Sequence, residues 1–192
     1  MIKTLLIASI SLALTTITGD VFAQGNANGK AKTATCAGCH GEDGNSAMPG
    51  FPKLAGQHKG YLVKQLHAFK NGSRISPMMG ALAAGLDDHA IEEIADYYAA
   101  NKISANPAPV LPASDEDDEA TAKTPEQKKA EVDKLIAAGG NLYRNGDLNT
   151  GVSACIACHG PFGEGNKPAS FPSLHSQHAD YIVKTLTDFK TA

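Results

Sequence analysis

The stretch Cys36-Ala37-Gly38-Cys39-His40 decides the fold of this chain. Two cysteines three positions apart, with a histidine directly after the second, form the attachment signature of a c-type haem. Each thiol can form a thioether with one vinyl group of the porphyrin, and the histidine then reaches the iron. The pattern returns as Cys155-Ile156-Ala157-Cys158-His159, and the chain has no other cysteines. The sequence therefore predicts two covalently bound haem c groups, with His40 and His159 as the proximal ligands.

A pair of cysteines at this spacing has two other common uses, a redox disulfide and a zinc site. A disulfide is the usual state in an oxidising compartment, but it gives no reason for a histidine after the second cysteine in both copies. A zinc site needs further ligands at suitable spacing, and all four thiols lie within the two motifs. Haem attachment is favoured over both alternatives.

The two haem motifs belong to a longer internal repeat. Residues 51–54 (Phe-Pro-Lys-Leu) match residues 171–174 (Phe-Pro-Ser-Leu), and Gln57-His58 matches Gln177-His178. The offset is 119 at the cysteines and 120 after a one-residue insertion. The remaining matches are Tyr61, Val63, Lys64, Leu66, Phe69 and Lys70 with Tyr181, Val183, Lys184, Leu186, Phe189 and Lys190. The chain is therefore predicted to contain two copies of one haem domain.

Hydrophobic periodicity predicts two helices in the first copy. A helix is expected over residues 59–71, with Gly72 as its terminator. A last helix should begin near Asp87 and Asp88, because negative charge favours the start of a helix. The apolar face of this last helix consists of Ile91, Ile94, Ala95 and Tyr98.

The other segments have weaker patterns. Residues 25–35 are expected to hold a short helix, and residues 41–56, rich in Gly and Pro, a loop near the haem. Residues 74–86 are expected to be mostly irregular. In the second copy, Thr124-Pro125-Glu126 has the features of a helix start, and the helix should run toward Tyr143.

The first 23 residues have the features of a secretory signal peptide. They combine a positive Lys3, an apolar run from Leu5 to Leu14 and a small-residue cleavage site at Val21-Phe22-Ala23. The apolar run is short for a membrane span, so a retained anchor is the minor alternative. We therefore expect a periplasmic protein with at most peripheral association with a membrane.

After residues 1–23, we expect a first haem domain over residues 24–102, a linker over 103–125 and a second domain over 126–192. The linker is rich in proline and contains five consecutive acidic residues, 115–119, which are expected to stay solvated. The repeat stops where the first copy has about Gly72. The second domain is therefore expected to be incomplete at its C-terminus.

The distal ligand of the first haem is expected to be a methionine. The chain contains Met1, Met48, Met78 and Met79, and Met1 is lost with the signal peptide. A thioether ligand favours ferrous iron and raises the reduction potential. Met78 and Met79 lie well beyond the first haem motif, so the chain can return on the other face of the haem. The alternative is that both methionines only pack against the haem.

The distal ligand of the second haem is unknown, because no methionine follows Cys158. His175 and His178 are the nearby candidates. His178 matches His58, which has no ligand role if a methionine binds the first iron. Both are therefore favoured as polar residues around a helix start.

Composition excludes several classes of function. The formal net charge of −3 argues against a nucleic-acid-binding protein. No Ser/His/Asp set, paired-carboxylate pattern or phosphate-binding loop is recognisable.

The longer strings resemble the di-haem cytochrome c4 family. The resemblance is carried by residues 51–57 and 61–66, and by residues 141–146 before the second haem motif. It implies an all-α fold of two class I cytochrome c domains in tandem. It also favours Met79 over Met78 as the distal ligand of the first haem. The acidic linker and the short second copy depart from the family pattern.

The resemblance implies a one-electron carrier that changes no substrate. Its redox partners would be a respiratory complex or a dehydrogenase as donor, and a terminal oxidase or reductase as acceptor. One alternative is a di-haem peroxidase-like enzyme that uses an open second haem. A haem-bearing subunit docked to a larger dehydrogenase would share the mechanism of the carrier and differ only in its partner.

Overall fold

The computed structural model describes residues 27–111 and 123–191. The predicted signal peptide and the acidic run at 115–119 lie outside the described residues. The described chain is helical, as predicted, and its extended pairing is limited to two isolated bridges, Asp147 with Val152 and Asn166 with Phe171. None of its helices has the length and apolar character that a membrane crossing requires.

The first domain begins with a helical stretch at residues 27–32, which a turn at Thr33 separates from the next helix. Four helices follow: α1 at Ala34–His40, α2 at Lys59–Lys70, α3 at Pro77–Ala84 and α4 at Asp88–Ala100. The segment between α1 and α2 is a loop, as its glycines and prolines predict. Helix α2 packs against both α3 and α4.

Helices α2 and α4 confirm the predictions from periodicity. Helix α2 ends at Lys70, and Gly72 follows with a φ of 78°, a left-handed conformation that favours glycine. At the start of α4, the Asp87 carboxylate accepts a hydrogen bond from Ala90 N, so it caps the helix. All four residues of the predicted apolar face of α4 are buried. The core of the domain consists of Leu62, Ile94, Ala95, Tyr97 and Tyr98.

Helix α3 corrects the expectation that residues 74–86 are mostly irregular. The Ser76 hydroxyl accepts a hydrogen bond from Met79 N and caps the helix, and Pro77 occupies the first turn, where a missing N–H costs nothing. Three alanines favour the helix in the following turn. This short helix covers α2 and carries Met78 and Met79.

The second domain contains α5 at Pro125–Asn145, α6 at Ile156–His159 and α7 at Ala179–Thr191. The predicted start of α5 is confirmed as a capping box: Thr124 accepts from Gln127 N, and the Gln127 side chain accepts from Thr124 N. Helix α5 runs past Tyr143, as expected, and contacts α6. None of these three helices contains a fully buried residue.

Candidate haem sites

The first site is built by helix α1 and the loop that follows it. Cys36, Cys39 and His40 stand at helical spacing, so their side chains share one side of α1. Both thiols are free and partly exposed, whereas His40 is only 6% exposed. The thiols are therefore open to attachment, and the imidazole is turned inward.

The imidazole of His40 is held by the loop. Its Nδ1 lies 2.8 Å from the carbonyl oxygen of Pro52. An Nδ1–H that donates to this carbonyl leaves Nε2 as the lone-pair nitrogen, the form that binds iron. Burial lowers the pKa of His40, and the bond to Pro52 opposes part of that shift. The neutral ligand is therefore the favoured form, and the Pro52 carbonyl fixes the orientation of its ring.

The second site repeats this geometry. Cys155 precedes α6, and Cys158 and His159 lie on it. His159 Nδ1 lies 2.9 Å from the carbonyl oxygen of Pro172, the residue that matches Pro52. An aromatic ring stands edge-on to each imidazole. The ring centroids of Phe51 and His40 lie 6.3 Å apart, and those of Phe171 and His159 lie 6.1 Å apart. The two sites therefore have the same proximal side.

The donor sets fit a covalently attached haem better than a disulfide or a zinc ion. All four thiols are free. Within residues 27–111 and 123–191, no three His, Cys, Asp or Glu side chains are grouped so that they could hold a metal ion. Each site instead offers two thiols and one oriented imidazole, which are the groups that a haem c requires.

Met78 and Met79 lie on the first turn of α3. Met78 is 55% exposed, whereas Met79 is partly buried. Adjacent residues of an α-helix point about 100° apart, so only one of the two can face the haem. Met48, in the loop after α1, is 44% exposed. Burial therefore agrees with the preference for Met79.

The two histidines considered for the second haem differ in their surroundings. His175 is exposed. His178 Nε2 lies 2.9 Å from the carbonyl oxygen of Ser46 in the first domain. His178 directly precedes α7, so its contact is with the other domain at the start of a helix, as expected for a polar residue there.

Gln57 and Gln177 belong to no recognisable functional motif, and the structure places both between the domains. The Gln57 side chain bonds the backbone of Ser173, and the Gln177 side chain bonds the backbone of Lys53. Lys53 and Ser173 directly follow the two prolines that hold the proximal histidines. The repeat of Gln57 at Gln177 was the one signal in the sequence that pointed to this arrangement.

Comparisons with known proteins agree with this architecture. The family model for cytochrome c matches residues 26–99. Cytochrome c4 of Pseudomonas aeruginosa is 41% identical over 183 residues, which cover 94% of this chain and 80% of that protein. A thiosulfate dehydrogenase electron acceptor of Stutzerimonas stutzeri is 34% identical, over 88% of this chain and 68% of that protein. The crystal structure of reduced cytochrome c4 from Pseudomonas stutzeri superimposes with a TM-score of 0.69 at 39% identity, over 86% of this chain and 80% of that one.

Proposed function

The chain belongs to the cytochrome c4 family, and from this premise we propose that it carries single electrons between redox proteins of the periplasm. It is a two-domain class I cytochrome c with two covalently bound haem c groups. Haem iron supplies a one-electron couple whose potential depends on its ligands and their hydrogen bonds. The observation that carries the proposal is the pair of matched proximal sites, with imidazoles fixed at 2.8 Å and 2.9 Å from backbone carbonyls.

We assign the residues as follows. Cys36 and Cys39 hold the first haem, and Cys155 and Cys158 hold the second. His40 and His159 bind the iron atoms from the proximal side. Met79 is the distal ligand of the first haem, with Met78 as the alternative, and its partial burial on α3 supports this choice.

The proposed donor is a respiratory complex or a dehydrogenase, and the proposed acceptor is a terminal oxidase or a reductase. A relative that is named as the electron acceptor of thiosulfate dehydrogenase supports a dehydrogenase as donor. The secretory features of residues 1–23 support the periplasm as the compartment.

The test is electron delivery by the purified holoprotein. Reduced protein is mixed anaerobically with an isolated haem–copper oxidase, and the oxidation of its haems is followed by absorbance. The expected result is oxidation of the haems with an equivalent reduction of the metal centres of the oxidase, and with no chemical change in any small molecule. Peroxide turnover well above that of free haem would instead identify the protein as a peroxidase.

The assignment of Met79 is tested by Met79→Ala with Met78→Ala as its matched control. Loss of the sulfur ligand should open the first iron, so that the ferrous Met79→Ala protein binds carbon monoxide at that site. Met78→Ala should keep the site closed. The opposite outcome would move the assignment to Met78.

A further inference from the structure

Two glutamines join the domains through reciprocal hydrogen bonds. Gln177 Oε1 accepts from Lys53 N at 2.8 Å, and Gln177 Nε2 donates to Lys53 O at 2.9 Å. In the equivalent arrangement on the other side, Gln57 Oε1 accepts from Ser173 N and Gln57 Nε2 donates to Ser173 O, both at 2.9 Å. Each glutamine thus contacts the residue that matches the other glutamine's partner, as at a two-fold axis.

Both side chains are fixed by further contacts. Gln57 Oε1 also accepts from His58 N at 2.9 Å, and Gln177 Oε1 accepts from His178 N at 3.0 Å. Gln57 is 7% exposed and Gln177 is 8% exposed, so water has little access to either amide. Each amide is bound through both its oxygen and its nitrogen, which holds it in one orientation.

Each glutamine acts on the peptide unit that holds a proximal histidine of the other domain. The Pro52 carbonyl, which accepts from His40, and the Lys53 N–H, which donates to Gln177, belong to the same peptide unit. The Pro172 carbonyl and the Ser173 N–H form the equivalent unit for His159 and Gln57. Hydrogen bonds in such a chain polarise one another, so an acceptor on the N–H makes the carbonyl a stronger acceptor.

We propose that Gln177 and Gln57 are positioning residues that lower the reduction potential of the haem in the opposite domain. A stronger carbonyl acceptor polarises the Nδ1–H bond of the imidazole. The Nε2 atom of the same ring then becomes a better electron donor to iron. A more basic ligand stabilises ferric iron over ferrous iron. Gln177 therefore acts on the first haem through Pro52, and Gln57 acts on the second haem through Pro172.

This inference rests on the proposed function only where His40 and His159 are taken as the iron ligands. It adds a crossed relationship that no single domain has by itself. Each haem is tuned by a side chain of the other domain, so the docked state and the potentials depend on each other.

The experiment measures the potential of each haem in holoprotein variants Gln177→Met and Gln57→Met, which keep the length of the side chain and lose its amide. A redox titration followed by NMR resolves the haem methyl signals of each domain. At a fixed solution potential, Gln177→Met should raise the ratio of reduced to oxidised first haem about two- to fivefold. Gln57→Met should do the same to the second haem, and each should change its own domain's haem less.

The matched control is Asn106→Leu. Asn106 Nδ2 donates to Gln177 O at 2.8 Å, and Asn106 Oδ1 accepts from Lys53 Nζ at 2.8 Å. This variant therefore weakens the same interface but keeps the bond of the Lys53 N–H to Gln177, and Lys53 Nζ retains its bond to Ser104 O. It should leave both ratios unchanged. Gln177→Ala and Gln57→Ala provide second variants if either methionine variant fails to accumulate as holoprotein.

The proposal is supported if each glutamine variant raises the ratio of reduced to oxidised haem in the opposite domain and Asn106→Leu does not. We call this result the crossed shift. Any other pattern overturns the proposal: no shift, a shift of the haem in the mutated domain, equal shifts of both haems, or the same shift in Asn106→Leu. The titration needs no protein partner. A wild-type protein that fails to reduce the oxidase would therefore count against the carrier function and leave the crossed shift as a separate result.

Discussion

Helices α2 and α7 have matching sequences but opposite surroundings. In α2, Val63, Leu66 and Phe69 are partly buried. The matching residues of α7 are exposed, Val183 at 63%, Leu186 at 59% and Phe189 at 72%. The difference arises because α3 and α4 pack on α2, whereas no other helix of the described residues packs on α7. An amphipathic pattern thus predicts that a helix forms, and the elements that pack on the helix determine whether its apolar face is buried.

The proximal sides of the two haem sites give the opposite result. The histidine-to-carbonyl distances and the glutamine contacts are nearly equal in both domains. These groups are supplied by the haem motif, one short loop and the facing domain, none of which requires α3 or α4. The ligand geometry is therefore independent of the helical core that distinguishes the first domain from the second.

The largest expected effect is on the core of the first domain. Ile94 on α4 is 3% exposed, and Ile94→Ala leaves a cavity beside α2. We expect a loss of about 2–5 kcal/mol in the free energy of unfolding. Phe189→Ala on the exposed face of α7 should stay within about 0.5 kcal/mol of the wild type. Chemical denaturation of the two holoproteins, followed by far-UV circular dichroism, measures both values.

Equal losses in the two variants would contradict this comparison. They would show that the apolar face of α7 is covered in solution, so that Phe189 is buried in the folded protein.

The sequence predicted those features that depend on neighbouring residues. Helix α2 and the start of α4 at Asp87 follow from local spacing, and the structure confirms them. Helix α3 is the exception: hydrophobic periodicity gives no helix over residues 74–86, although Ser76 and Pro77 form a good helix start. A cap followed by alanines is enough for a short helix once α2 supplies a surface to cover.

The glutamine contacts had no local signal. Gln177 and Lys53 are 124 positions apart, and no periodicity relates them. A buried polar side chain that serves the backbone of another domain is recognised only when the domains are placed together. The repeated glutamine marked the position as equivalent in both copies, but not its contact.

Matched glycines provide the second test of the comparison. Gly44 and Gly163 occupy equivalent positions with φ of 85° and 76°. A Cβ on Gly44 would lie 2.6 Å from Ala55 N and 2.7 Å from Tyr98 Cδ1, whereas on Gly163 it would lie 3.3 Å from His175 N. Both alanine variants incur the left-handed strain, about 1–2 kcal/mol. Gly44→Ala should lose roughly 1–3 kcal/mol more, because it also overpacks the core.

Thermal unfolding of the two holoproteins measures this difference. Comparable melting temperatures for Gly44→Ala and Gly163→Ala would show that the loop at Gly44 relaxes away from Tyr98. The core would then be less tightly packed at this point than the distances indicate.

A smaller effect is expected at the contact between Arg74 and Tyr181. Arg74 Nη2 donates to Tyr181 Oη at 2.9 Å across the interface. Tyr181→Phe removes this acceptor and should weaken the docking of the domains by about 0.5–1.5 kcal/mol. Tyr143→Phe is the matched control, because the Tyr143 hydroxyl donates to Gly160 O within the second domain. Faster hydrogen exchange at the amides of Lys53 and Ser173 should appear only in Tyr181→Phe.

If Tyr143→Phe accelerates exchange at those two amides to the same degree, the interface opens through general loosening of the second domain. The Arg74 contact would then have no specific part in holding the domains together.

The last and smallest effect concerns the matched pair His58 and His178. His178 Nε2 lies 2.9 Å from Ser46 O, whereas neither ring nitrogen of His58, itself 8% exposed, makes a hydrogen bond within ordinary limits of distance and angle. Burial lowers the pKa of His58, and the backbone of Glu164 opposes part of that shift. The fold therefore favours the neutral ring.

The sign of the pH dependence follows from this depressed pKa. Below the ordinary histidine pKa of about 6.5, the unfolded chain takes up a proton at His58 that the folded chain still excludes. Stability should therefore fall as the pH drops below that value, and His58 should have no effect well above it. His58→Gln should have a flatter profile of urea midpoint against pH than the wild type, and the exposed His175→Gln should follow the wild type. Parallel profiles for all three proteins would mean that the domains separate enough in solution to hydrate His58. In that case His58 and His178 would differ in their hydrogen bonds in the structure, but His58 would not contribute to the pH dependence of stability.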